Sequence, residues 1–120
     1  MNWYKVSQQI HDFQDRTQVN ERIRALEKIA DMIAYAGKLV FQTARGSRKV
    51  IDQIIDNKKM SSFEEVQEML RQASELALDN PFKCANICST ASKKLLYKIK
   101  GLENNRRKFV DNNVIKGLVD

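Results

Sequence analysis

Val19, Ile23, Leu26, Ala30, Ile33, Gly37, Val40 and Ala44 recur at alternating steps of four and three. On an α-helix that rhythm puts all eight on one stripe. So long a stripe needs another helix against it, and this sets the fold class. The chain should be all-α, with helices meeting along heptad seams. Ile29, Met32, Ala36 and Leu39 widen the stripe beyond what a two-stranded coiled coil uses, which favours a bundle. Small residues at Ala30, Gly37 and Ala44 would let a partner helix come close.

The rest of the chain divides around this element. Trp3, Val6, Ile10 and Phe13 form a short apolar face over residues 2–15. Asp15-Arg16-Thr17 reads as a break, with Thr17 as N-cap and Asn20 or Glu21 near the capping-box position. The long helix is either continuous over 18–57 or, the preferred reading, split or kinked at Arg45-Gly46-Ser47-Arg48-Lys49, because glycine costs about 1 kcal/mol against alanine inside a helix. Lys58 to Ser61 form a loop. Ser61 and Ser62 each have a glutamate three residues later, so either serves as N-cap for a helix carrying Phe63, Val66, Leu70, Ala73 and Ala77. Asn80-Pro81 fits an N-cap followed by the first helical position. From there Cys84, Cys88, Ala91, Leu95, Ile99 and Leu102 share one face. Gly101 and Asn104-Asn105 mark that helix's end, and a short helix follows over 106–118. The expected architecture is one domain, 1–120: a four-helix bundle of four main helices plus a short C-terminal one, with coiled-coil-like packing.

Composition agrees with that reading. One proline and four glycines are too few turn residues for a many-stranded β fold. With 42% apolar and 30% charged residues, the chain is too apolar for a disordered tail. No apolar run approaches the ~20 residues of a membrane span. Lys5 is followed by no apolar h-region, so a cytoplasmic protein is expected. Cys84 and Cys88 lie one helical turn apart, where a disulfide would be strained, so they are read as reduced thiols.

The net charge of +6 is a cancellation. Residues 61–80 hold Arg71 against Glu64, Glu65, Glu68, Glu75 and Asp79, a net of −4. Residues 83–108 hold Lys83, Lys93, Lys94, Lys98, Lys100, Arg106, Arg107 and Lys108 against Glu103, a net of +7. Lys93, Lys94, Lys100 and Lys108 point away from the apolar stripe, and Tyr97 falls in the middle of that basic face. Lysines with one aromatic suit phosphates with one stacked base. The nucleic-acid-binding residues are therefore expected to be Lys93, Lys94, Tyr97, Lys98, Lys100, Arg106, Arg107 and Lys108. Arg45, Arg48, Lys49, Lys58 and Lys59 make a second basic group, which, if the loop folds back, would extend the first or bind anions separately.

Other chemistry finds little support in the residues. Arg45-Gly46-Ser47-Arg48 lacks the spacing and the Gly-Lys-Ser/Thr ending of a phosphate loop. Two cysteines fall short of a four-ligand zinc site, and on an apolar seam cysteine is a small hydrophobe. His11, the lone histidine, stands beside Asp12 with no nucleophile marked near it. The Glu64/Glu68 pair lacks the Glu-x-x-His signature of a di-metal helix pair. Those acids read as capping and solubility, or as a counter-surface to the basic face across an oligomer contact. Trp3 and Tyr4 could tuck onto the bundle or anchor a partner. No catalysis, metal or cofactor is expected. The leading function is a small non-enzymatic accessory or adaptor protein holding nucleic-acid backbone. The rival is a protein–protein module (oligomeric scaffold, structural component or inhibitor) whose basic face meets an acidic protein surface. The wide seams also suit a homo-oligomer.

Overall fold

The computed structural model describes the backbone of residues 3–119 and the side chains of residues 18–104. Four α-helices account for most of it: α1, Trp3–Leu39; α2, Ala44–Ile55; α3, Glu64–Leu76; and α4, Pro81–Val119. A single 3-10 turn, Lys58–Met60, lies between α2 and α3, and no strand occurs among the described residues. The principal packing joins α1 to α2 and α4, and α3 to α2 and α4. Among the described residues no helix is long and apolar enough to cross a membrane.

The all-helical class matches expectation, but four helices form where four main helices plus a short C-terminal one are expected, and their boundaries differ. The predicted break at Asp15-Arg16-Thr17 is absent, and α1 runs through it. None of those three residues is a glycine or proline, and each costs a helix only a few tenths of a kcal/mol. The predicted stop at Gly101 to Asn105 is likewise absent, so α4 absorbs the expected short C-terminal helix. Gly101 is exposed and touches nothing that would force a turn.

The predicted long helix is broken, but at Val40–Thr43 rather than at Gly46. Thr43 adopts an extended backbone and caps α2, its hydroxyl accepting from Gly46 N at 3.1 Å. Gly46 therefore sits in the first turn of α2. A Cβ there would lie 2.7 Å from Thr43 Cγ2, so the glycine makes room for the cap.

Neither Ser61 nor Ser62 caps α3. The 3-10 turn closes with Ser61 N on Lys58 O and Phe63 N on Met60 O, and α3 opens with buried Phe63 at its N-cap. Glu64 and Glu65 then face the positive end of the helix dipole. Ser62 instead accepts from Arg22 Nη2 on α1, at 3.5 Å. Asn80-Pro81 behaves as read: Asn80 Oδ1 accepts from Lys83 N at 3.1 Å, and Pro81 opens α4.

The seam packs as its rhythm requires. Ile23, Leu26, Ala30, Ile33, Gly37 and Val40 are buried, with Ile51, Leu70 and Leu95 from the other three helices. Val19 and Met32 are partly exposed, so the stripe is narrower than the sequence implied. Buried hydroxyls tie the helices together. Ser47 Oγ on α2 donates to Ala36 O at 2.7 Å, and Ser92 Oγ on α4 donates to Ala30 O at 2.8 Å. Ser74 Oγ on α3 donates to Asp52 Oδ1 on α2 at 2.6 Å.

Candidate nucleic-acid interface

The expected basic face lies on α4, whose direction is set by the Asn80 cap at its start. Cys84, Cys88, Ala91, Leu95 and Ile99 face the core. The opposite side of the helix carries Lys93, Tyr97 and Lys100, all exposed. Tyr97 is 78% exposed, the most open large hydrophobic side chain among the described residues. Lys93 lies four residues before it and Lys100 three after, so the three share one face. Lys83, also exposed, stands at the start of the same helix.

Lys94 and Lys98 belong elsewhere. They turn toward α3, where both meet Glu65. Lys94 Nζ donates to Glu65 Oε1, and Lys98 Nζ lies 3.6 Å from Glu65 Oε2. The hydrogen bond from Lys94 holds the Glu65 carboxyl below its ordinary value of 4.5, with Lys98 adding to the effect. The acidic and basic stretches are thus side-by-side helices, and one acid engages two of the lysines. Nothing in the sequence marks this pairing, because Glu65 and Lys94 are 29 residues apart. The side chains of Arg106, Arg107 and Lys108 lie outside the described residues, as do those of His11, Trp3 and Tyr4.

The second basic group does not converge. Arg45, Arg48 and Lys49 are exposed on α2, where Asp52 and Asp56 share a shallow cleft with them. Lys58 and Lys59 lie past the far end of α2, in the 3-10 turn, beside Glu21 and Arg22 of α1. From Lys49 to the end of α2 at Ile55 the helix rises by six residues, about 9 Å, before the chain reaches Lys58. The cleft that Lys58 and Lys59 line is shared with Gln18, Glu21 and Arg22 of α1, and no α4 residue is among its lining.

Cys84 and Cys88 are buried and unpaired by disulfide. Burial pushes both thiols up, Cys88 to about 12, with the neighbouring Cys84 adding to the rise. Such thiols are poor nucleophiles at neutral pH. Among the described residues, no three His, Cys, Asp or Glu side chains cluster as a metal site would need.

Two exposed features were not expected. Phe41, after α1, and Phe82, at the start of α4, pack edge to face with centroids 5.2 Å apart. Beside them a groove of about 410 Å³ runs between α1 and α4, with Lys38 and Lys93 on its lips. Both phenylalanines fall outside the apolar stripes, so periodicity gave them no role.

Comparison with protein-family models, curated proteins and solved structures finds no match.

Proposed function

We propose that this is a non-enzymatic accessory or adaptor protein that holds nucleic-acid backbone on the outer face of α4. Its scaffold is an up-and-down four-helix bundle with coiled-coil-like seams, working in a reducing, cytoplasmic setting. The observation that carries the reading is the line Lys93–Tyr97–Lys100. A face needed only for solubility has no use for an aromatic ring 78% open to water. A phenol flanked by ammonium groups at one-turn spacing gives a base a stacking surface and its phosphates two counter-charges. Lys94 and Lys98 play a lesser part, because Glu65 already engages them.

The test is a fluorescence-anisotropy titration with labelled single-stranded and duplex oligonucleotides across a KCl series. With Lys83, Lys93 and Lys100 each meeting a phosphate, log K against log salt should fall with a slope of about −2 to −3. Lys93→Glu with Lys100→Glu should abolish binding. Tyr97→Ala should weaken single-strand binding by about 1–3 kcal/mol and duplex binding far less. Absence of binding at low salt would overturn the reading and pass the same face to an acidic protein surface.

A further inference from the structure

We propose that this chain binds single strands of nucleic acid rather than duplex, and that the bound strand runs from Tyr97 into the α1–α4 groove, where Phe82 is a second stacking platform. The proposal rests on the α4 reading above and extends it. Phe82 is 72% exposed, and Phe41 packs edge to face against it at 5.2 Å, so the ring is open to water yet held in place. At about 100° per residue, Ser89, Lys93 and Lys100 fall within about 20° of Phe82 around α4, and Tyr97 within about 60°. Two open aromatic rings thus share one face, with Lys93 between them and Lys100 beyond.

The groove supplies a path for the backbone. Its floor is made of small residues, Ala34 and Gly37 from α1 and Ala85 and Ser89 from α4. Its charged lining is basic on both lips, Lys38 on α1 and Lys93 on α4. A basic recess with aromatic rings alongside suits a single strand, whose phosphates meet the charges while unpaired bases lie on the rings. In a duplex the bases are paired and stacked on one another, so neither ring can take one. On α1 the exposed Glu27 and Asp31 follow beyond Ala34. Ala30 lies against Ser92, so these carboxylates flank the Tyr97 half of the path and keep phosphates to the α4 side. From Phe82 to Tyr97 α4 rises about 22 Å, room for about six nucleotides at the stacked spacing of about 3.4 Å. The line Lys93–Tyr97–Lys100 alone spans about 10 Å, or about three nucleotides.

The test is fluorescence anisotropy on the full chain at low salt, with labelled unstructured single-stranded DNA from about 3 to about 12 nucleotides and a duplex of matching sequence. Affinity of the parent for single strands should climb with length and level off near about six nucleotides, with the duplex about tenfold weaker or more. Phe82→Ala should bring the plateau forward to about three nucleotides and lower the plateau affinity about fivefold or more. Lys38→Glu should weaken the long strands and leave the shortest unchanged. Phe82→Tyr keeps a stacking ring and should stay within about twofold of the parent. Both sites are exposed, and far-UV circular dichroism will show that each variant stays helical. A parent that binds strands of every length with the same affinity as Phe82→Ala and Lys38→Glu overturns this proposal alone, and leaves the groove to an acidic, apolar protein segment. So does a parent that binds the duplex as tightly as the single strand. A parent that binds neither overturns the α4 reading and this proposal with it.

Discussion

A Cβ placed on Gly37 of α1 would stand 2.9 Å from the Cβ of Cys88 on α4. Real side chains do not approach so closely, and a backbone carbonyl, Ala85 O, waits at 3.4 Å. Gly37→Ala gains about 1 kcal/mol of helix propensity but forces the helices apart. Overpacking of this kind costs about 1–3 kcal/mol. The variant should be less stable by about 1 kcal/mol, read from the urea midpoint. A rise in the midpoint would mean the two helices yield freely at this crossing.

Ser92 and Ser47 attach α4 and α2 to carbonyls of α1. Each carbonyl belongs to a helix, so losing the hydroxyl does not strand a bare acceptor. Ser92→Ala and Ser47→Ala should each cost about 0.5–1.5 kcal/mol in chemical denaturation. The sites lie on different junctions, so the double variant should lose the sum of the two.

Glu65 is held below its ordinary value chiefly by Lys94. A carboxylate with a depressed folded-state pKa contributes stability that is fully present above its unfolded value. That contribution fades as pH falls through the folded value. The α3–α4 contact should therefore loosen below about pH 4. Glu65→Gln should lose this part of the acid-side slope while leaving stability near pH 7 little changed, as expected for an exposed pair. Stability profiles of the two proteins from pH 2 to pH 7 will show the difference.

Cys84 and Cys88 should resist alkylation in the native protein. With the Cys88 thiol near 12, little thiolate exists at pH 8, and the core excludes reagent. Iodoacetamide labelling followed by mass spectrometry should show slow modification of the native protein and rapid modification of both sites in urea. Fast native labelling would place the pair in a far more open setting.

Legibility from sequence followed the range of the interactions involved. The heptad seam was readable because periodic burial is a local pattern, and Asn80-Pro81 because its cap is made within four residues. The breaks at Thr17 and Asn104 were over-read, since a residue that can cap a helix need not end one. The true turn at Val40–Thr43 has no glycine or proline. What announces it is Gly46, three residues on, whose bare Cα shelters the cap. Ser61 and Ser62 were outcompeted by the 3-10 turn and by burial of Phe63. The α4 lysines were found, but their division into two sets was not. That division depends on which helix lies alongside, and no short-range signal records it. Phe41 and Phe82 went unnoticed because they meet only once the Val40–Thr43 and 77–80 connections come together.

The hydrogen bond from Ser92 to Ala30 spans 62 positions of the chain. The other helix junctions join sequence neighbours, so their assembly closes only short loops. Bringing α4 back onto α1 gathers in the whole intervening chain, an entropic charge of about 4 kcal/mol. The crossing at Gly37 and Ser92 therefore carries the largest loop-closure cost of the four principal helix junctions.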